Sequence, residues 1–305
     1  MQFFCYIYDK TSVYPKIYDR LLTYTLRPII NTGRRASRMH SHAERGNEGT
    51  ILGYAHKNNY RGSTNGERMK TSHVKHAICI ALDIPHDKTA LKLVDILKDH
   101  AGFFKVGMQL FYQYGPDLVD EIRTKGVKIF LDLKYHDIPN TVRNAAIASV
   151  RMNVDMFNVH TSGGLAMMQQ AVEGAKEIAY KENRPMPDIL GVTILTSMTQ
   201  KSLTQELNWP GSIQTRVCEM ALLAQKAGLD GVVASPLEVQ WIRSACGDDF
   251  KIVTPGIRPI WAVSNDQKRV MTPIQAIEAG ANIIVVGRPV IQADDPVAAV
   301  SRLFA

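Results

Sequence analysis

One stretch of this sequence indicates its fold most clearly: Val127-Lys128-Ile129-Phe130-Leu131-Asp132-Leu133-Lys134. A short apolar run that ends in charged side chains is typical of a strand buried on both faces, as in a parallel sheet. Seven further runs of this kind occur, at residues 77–83, 103–107, 154–160, 189–195, 231–234, 251–254 and 283–286. The sequence therefore predicts eight buried strands.

Segments with helical periodicity lie between these strands, at residues 87–97, 116–124, 138–150, 165–179, 215–227, 236–244 and 273–279. The last has both end signals, because Thr272 can cap it, Pro273 suits its first position and Gly280 can end it. Strands and helices that alternate over roughly 230 residues predict an α/β fold, a single (β/α)8 TIM barrel, whose usual size is about 250 residues. A doubly wound open sheet is the alternative, although no Gly-x-Gly-x-x-Gly turn follows the first strand.

The composition suggests two regions. The chain has 305 residues, 45% of them hydrophobic, and a formal net charge of +7. Residues 1–75 hold 13 Lys and Arg against 5 Asp and Glu, whereas residues 76–305 hold 23 against 24. We therefore predict a basic, poorly ordered N-terminal extension over residues 1–74 and a barrel domain over residues 75–305. Because the barrel region is nearly neutral, nucleic-acid binding is not expected.

Targeting and cysteine patterns narrow the class of protein further. The sequence has no apolar run of the length of a membrane span and no secretory signal, so we expect a cytoplasmic protein without membrane contact. Cys5, Cys79, Cys218 and Cys246 lack the spacing of a disulfide framework or a zinc site. Met69 lies shortly before the first predicted strand, and we interpret it as the natural start.

Charged side chains close three predicted strands. Asp83 ends the first, Lys105 lies late in the second, and Asp132 and Lys134 end the third, with Asp137 in the turn beyond. Catalytic residues of a (β/α)8 barrel lie at these strand ends. Lys105, Asp132, Lys134 and Asp137 balance in charge, so they can be partly buried together without a metal, and a lysine ammonium can donate a proton.

The segment Asp132-Leu133-Lys134-Tyr135-His136-Asp137-Ile138-Pro139-Asn140-Thr141 resembles the Asp-x-Lys-x-x-Asp-Ile-Pro-Asn-Thr signature of the orotidine 5′-monophosphate decarboxylases. The resemblance continues across residues 77–305. The other matching segments are Ala81-Leu82-Asp83, Phe104-Lys105-Val106-Gly107, Leu195-Thr196-Ser197, Thr254-Pro255-Gly256-Ile257-Arg258, Asp266-Gln267-Lys268-Arg269 and Val286-Gly287-Arg288-Pro289. No segment of residues 1–74 resembles this family.

The resemblance implies decarboxylation of orotidine 5′-monophosphate to uridine 5′-monophosphate, without a cofactor and without a metal. It assigns Lys134 to stabilising and protonating C6 of the pyrimidine and places Asp132 against the departing carboxylate. Lys105 and Asp137 are expected to hold the charged array. These four residues are the predicted catalytic set.

The resemblance also implies a set of substrate-binding residues. Asp83 and Lys105 would hold the ribose hydroxyls, with Thr141 nearby. In TIM barrels, the loops after strands seven and eight commonly bind phosphate. The remaining predicted substrate-binding residues are Thr196, Pro255, Arg258, Gln267, Gly287 and Arg288. We interpret residues 259–271 as a lid whose Gln267 reaches the phosphate.

The resemblance further implies a homodimer in which Asp137 and Thr141 enter the site of the other subunit. Two rival functions remain for comparison. Sugar-phosphate decarboxylases and aldolase-like synthases share the Asp-x-Lys-x-x-Asp pattern but bind magnesium through a carboxylate on the second strand. Lys105 stands there in this chain and would repel the ion. A nucleic-acid-binding protein led by the basic extension is the other rival.

Overall fold

The computed structural model describes residues 75–262 and 270–304. Its eight parallel strands form a closed barrel in chain order. The strands are β1 (Ile78–Ala81), β2 (Phe103–Gly107), β3 (Lys128–Tyr135), β4 (Met156–His160), β5 (Asp188–Val192), β6 (Gly231–Val233), β7 (Lys251–Thr254) and β8 (Ile283–Val286). Because β1 pairs with both β2 and β8, the TIM-barrel prediction is confirmed and the open-sheet alternative is wrong.

The helices are α1 (Asp87–Leu97), α2 (Met108–Thr124), α3 (Pro139–Arg151), α4 (Gly164–Lys181), α5 (Ile213–Ala227), α6 (Val239–Cys246), α7 (Pro273–Glu278), α8 (Arg288–Ile291) and α9 (Pro296–Ser301). Thr272 caps α7 as predicted, with its Oγ1 accepting a hydrogen bond from Gln275 N at 3.3 Å. α2 begins before Pro116 because Gly115, at φ 68°, joins two helical segments across a kink. The sequence does not predict α8 and α9, which are too short to show a helical period.

Alternation along the strands explains where the polar side chains lie. Every second strand residue faces the inside of the barrel. The interior apolar cluster consists of Cys79, Ala81, Phe130, Met156, Leu190, Val253, Ile283 and Val285. Lys105, Asp132 and Asn158 each follow an inward-facing residue by two positions on β2, β3 and β4. These three polar side chains therefore lie directly above the interior apolar cluster, towards the carboxyl ends of the strands.

At the amino-terminal end of the barrel, three similar hydrogen bonds join neighbouring strands. A polar side chain just before β4, β6 and β8 accepts from a backbone N–H near the start of the preceding strand, each time at 2.8 Å. These side chains are Asp155, Asp230 and Asn282. In TIM barrels this face serves stability, while chemistry occurs at the carboxyl ends of the strands.

Three predictions concern residues that lie outside the described ranges. They are the poorly ordered extension over residues 1–74, the start at Met69, and the phosphate contact of Gln267. Within residues 75–262 and 270–304, no helix is both long enough and apolar enough to cross a membrane.

Candidate active site

A cavity of about 540 Å³ lies at the carboxyl ends of the strands. This volume is in the range of small-molecule sites. The charged side chains that line it are Asp83, Lys105, Asp132, Lys134, Arg258 and Arg288. Apolar side chains line it too, Val192, Ile194, Val233 and Val285 among them. The cavity lining thus combines charged and apolar side chains.

Four of the charged residues, Asp83, Lys105, Asp132 and Lys134, form a charged array in which negative and positive side chains alternate. Lys105 Nζ lies 2.9 Å from Asp83 Oδ1 and 3.2 Å from Asp132 Oδ2. Lys134 Nζ lies 2.7 Å from Asp132 Oδ1. Lys105 and Asp132 are buried, whereas Lys134 is partly exposed. Each buried charge therefore has a partner of opposite sign, which burial requires.

The neighbouring charges keep the buried pair ionised. Burial would raise the pKa of the Asp132 carboxyl, but the positive charges of Lys105 and Lys134, with hydrogen bonds from Lys134 and Asn158, lower this pKa to about 2. Burial would lower the pKa of the Lys105 ammonium, but the carboxylates of Asp132 and Asp83 raise it to about 12. Asp132 is therefore an anion and Lys105 a cation at neutral pH.

The local geometry of β3 differs from the regular strand that the sequence predicts. Leu131 pairs with Phe157 of β4, but the next pair is Tyr135 with Val159, so β3 bulges between Leu131 and Tyr135. Within this bulge Lys134 adopts φ 53°. The side chains of Asp132 and Lys134 lie close together at the end of β3, but Lys134 does not have the extended backbone of a regular strand. The bulge turns the Lys134 side chain back towards Asp132.

Asn158 is a site residue that the sequence analysis does not single out. It is fully buried in β4, donates from Nδ2 to Asp132 Oδ1 at 2.7 Å, and accepts at Oδ1 from Lys134 N at 2.8 Å. Gln109 and Gln292 line the cavity and are also new. The position of Gln109, just after β2, is a signal that could have found it. Gln292 follows α8 and shows no such signal.

The predicted phosphate residues that the structure describes reach the cavity from the segments after β7 and β8. Pro255 and Arg258 follow β7, and Gly287 and Arg288 follow β8; all four line the cavity, as does Thr196 after β5. Arg258 N donates to Met271 O at 3.0 Å, which ties the two ends of the segment that contains Gln267. With Asp83 and Lys105, the structure thus brings seven of the predicted binding residues to the cavity that holds Lys134.

Asp137 and Thr141 lie elsewhere in the single chain. Both are exposed, and Asp137 Oδ1 accepts from the adjacent Ile138 N at 2.7 Å. The described residues that line the cavity include neither of them. Within one chain, the carboxylate of Asp83, and not that of Asp137, is the second anion that contacts Lys105 in the charged array.

A divalent metal does not fit between these carboxylates. The Lys105 ammonium already lies within 3.2 Å of an oxygen of both Asp83 and Asp132. A magnesium ion there would meet a positive charge at contact distance and would have to displace it. The side chains at this place therefore differ from those of similar barrels that bind magnesium, because a lysine stands here where those have a carboxylate.

Comparison with known proteins gives the family. Residues 76–303 match the model of the Orotidine 5′-phosphate decarboxylase / HUMPS family. The chain is 48% identical over 239 residues to the orotidine 5′-phosphate decarboxylase of Moorella thermoacetica, covering 78% of this chain and 95% of that protein. With the one from Syntrophotalea carbinolica it shares 52% over 227 residues, or 74% of this chain and 92% of the relative.

A solved structure agrees with this result. The crystal structure of orotidine 5′-phosphate decarboxylase from Lactobacillus acidophilus superposes with a TM-score of 0.66 at 40% identity, covering 74% of this chain and 96% of that one. Both the sequence relatives and this structure match over nearly their full lengths. The chain therefore belongs to the orotidine 5′-phosphate decarboxylase / HUMPS family.

Proposed function

We propose that this protein converts orotidine 5′-monophosphate to uridine 5′-monophosphate and carbon dioxide, a step of pyrimidine biosynthesis. The relatives named above are decarboxylases of this kind. The proposal rests on the Lys134 ammonium, which lines the cavity and lies 2.7 Å from an ionised Asp132. This arrangement fits a reaction that develops negative charge at one carbon and then needs a proton there.

The reaction breaks the bond between C6 of the pyrimidine and its carboxyl carbon. The electron pair stays on C6, and carbon dioxide leaves. Lys134 stabilises this negative charge with its ammonium and then transfers a proton from Nζ to C6. The neutral amine is reprotonated by water. Because the positive charge is held in place before reaction, little reorganisation is needed in the transition state.

Asp132 and Lys105 keep this ammonium in position. Asp132 binds Lys134 through Oδ1 and Lys105 through Oδ2. The Asp132 carboxylate also faces the place from which the substrate carboxylate departs. Asp83 and Lys105 together offer an acceptor and a donor for the two ribose hydroxyls. The four groups therefore act as one array without a cofactor.

The arginines in the segments after β7 and β8 suit the phosphate. Arg288 can bind two phosphate oxygens at once, and Gly287 lets the backbone come close. Pro255 and Arg258 border the same space, and Gln267 is proposed to add a contact from the segment beyond. Thr196 supplies a hydroxyl after β5. Binding of the phosphate, which does not react, helps to fix the pyrimidine against Lys134.

We also propose a homodimer with shared sites in the cytoplasm. Asp137 and Thr141 are exposed beside Ile138, an apolar side chain with 67% of its surface accessible. Among the described residues, Asp137 and Thr141 do not line the cavity of their own chain. They belong to the same motif as Asp132 and Lys134, which supports a role for them in the site of a partner subunit. In the dimer, Asp137 would contact the charged array of the partner subunit, and Thr141 would contact the ribose of the substrate bound there.

Decarboxylation of orotidine 5′-monophosphate in excess chelator tests the proposal, followed by ultraviolet absorbance. We expect full activity of the wild-type chain, and loss of activity without loss of uridine 5′-monophosphate binding in Lys134→Ala, because Lys134 acts on charge that appears only in the transition state. Lys176→Ala, which removes an exposed lysine of α4, is the matched control and keeps wild-type turnover. A need for magnesium, or near-normal turnover by Lys134→Ala, would refute this function.

A further inference from the structure

Asn158 connects two strands at the charged array. Its side chain is fully buried in β4, and its amide makes one hydrogen bond in each direction to β3. Nδ2 donates to Asp132 Oδ1 at 2.7 Å, and Oδ1 accepts from Lys134 N at 2.8 Å. The chemistry of the partners fixes the orientation of the amide, because the reverse orientation would set oxygen against carboxylate and NH2 against N–H.

The bulge of β3 explains why an amide is needed at this place. Between the pairs Leu131–Phe157 and Tyr135–Val159, β3 contains more residues than β4. Lys134 is left out of the backbone ladder there, and its N–H bonds to the Asn158 side chain instead. Asn158 thus takes the place of a backbone acceptor and holds Lys134 at φ 53°.

The second hydrogen bond of Asn158 fixes the carboxylate of Asp132. Oδ1 of Asp132 accepts from both Asn158 Nδ2 and Lys134 Nζ, while Oδ2 lies 3.2 Å from Lys105 Nζ. These contacts determine the rotation of the carboxylate about its Cβ–Cγ bond. Since Lys134 Nζ bonds to this carboxylate, Asn158 acts on Lys134 at both ends, through its backbone and through its ammonium.

From this geometry we propose that Asn158 is the positioning residue that sets the place of the Lys134 ammonium in the cavity. The inference rests on the function proposed above. Asn158 is not one of the described residues that line the cavity, so it acts through Asp132 and Lys134 and does not contact the substrate. Its removal should change the chemical step more than substrate binding.

Two substitutions separate these contributions. Asn158→Leu removes both hydrogen bonds at similar volume, and we expect kcat to fall about 100-fold with little change in KM, as for a misplacement of about 1 Å. Asn158→Asp keeps the acceptor for Lys134 N–H but sets a second carboxylate against Asp132. Its kcat should be low at neutral pH and should rise as the pH falls, because protonation restores a donor towards Asp132.

Thr161→Val is the matched control. Thr161 lies directly after β4, is buried, and donates from Oγ1 to Val192 O of β5 at 2.8 Å, so its hydrogen bond does not involve Asp132 or Lys134. We expect this variant to keep the wild-type kcat and pH profile. His160, Lys105, Lys134 and Cys79 interact electrostatically with Asp132 and are unchanged in both Asn158 variants. Comparison of the two pH profiles therefore isolates the new carboxylate.

The inference is wrong if Asn158→Leu keeps wild-type kcat, if the kcat of Asn158→Asp does not rise as the pH falls, or if Thr161→Val loses as much activity as Asn158→Leu.

Hydrogen exchange of the Lys134 amide provides a test without turnover. It should be faster in Asn158→Leu than in wild type and unchanged in Thr161→Val, and equal exchange in all three would overturn the proposal. Absence of wild-type decarboxylation would refute the proposed function alone, since the exchange measurement still tests Asn158. If Asn158→Leu does not fold, the similarly shaped Asn158→Asp decides.

Discussion

Lys134 combines a charged side chain with a backbone conformation that side chains rarely adopt. Its φ of 53° lies in the left-handed region, which costs about 1–2 kcal/mol for a residue other than glycine. The other residues with positive φ, glycines apart, among those described are Asn153, Asn183 and Asn208, and asparagine tolerates this region. Glycine at position 134 would remove the strain together with the ammonium. The cost therefore lies at the residue that the proposed chemistry needs most.

His160 predicts a pH dependence of stability. Burial, and the electrostatic effects of the nearby His136 and Lys134, lower the pKa of the His160 imidazole to about 4, against the opposing effect of Asp132. In the unfolded chain histidine titrates near pH ~6.5, so between these values the unfolded state binds more protons. The free energy of unfolding should therefore fall as the pH drops through this window. The change due to Asp132, with a folded pKa of about 2, comes at lower pH.

His160→Gln should lose less stability than the wild-type chain as the pH is lowered from about 7 to about 4.5. Urea unfolding at several pH values measures the difference. His86→Gln, which replaces an exposed histidine, serves as the control and should follow the wild-type curve. Parallel curves for wild type and His160→Gln would show that this side chain does not titrate differently on folding.

At the scale of elements, the strands could be predicted because eight buried runs alternate with helical segments. The bulge of β3 could not be predicted, because a bulge depends on the register with the neighbouring strand. Asn158 was hidden for a similar reason. In the sequence it is a neutral amide within the apolar run of β4, and only the contact with β3 reveals what it binds. Charged residues at strand ends are the signal that the sequence shows directly.

The loop after β8 predicts a substrate-dependent effect. Arg288→Ala should lower kcat/KM for orotidine 5′-monophosphate about 10- to 100-fold, the value of hydrogen bonds to a charged group. Turnover of the nucleoside should be nearly unchanged because it lacks the phosphate that Arg288 is proposed to bind. Steady-state kinetics with both substrates measure this difference. Arg123→Ala, which breaks an α2 pair with Asp120, is the control for both substrates. An equal loss on both would mean that Arg288 supports the fold.

In the whole molecule, most of the proposed site residues line one cavity of a single chain, but Asp137 and Thr141, which the structure also describes, do not. The barrel brings Asp83, Lys105, Asp132 and Lys134 to one cavity. Asp137 belongs to the same sequence motif but lies exposed, away from that cavity. The order of residues along a chain does not state which subunit a side chain serves. The dimer with shared sites is therefore a prediction from family resemblance, and it needs a test that depends on two chains.

Mixed dimers of Lys134→Ala and Asp137→Ala chains provide this test. Each variant alone should be nearly inactive. When the two are unfolded together and refolded, random pairing makes about half of the dimers mixed, and in each mixed dimer one site receives intact Lys134 from one chain and intact Asp137 from the other. The second site collects both substitutions, so roughly a quarter of all sites should be of wild-type composition. Activity of the refolded mixture, compared with each variant refolded alone, measures the recovery. If verified mixed dimers stay inactive, Asp137 serves its own subunit and the shared site must be abandoned.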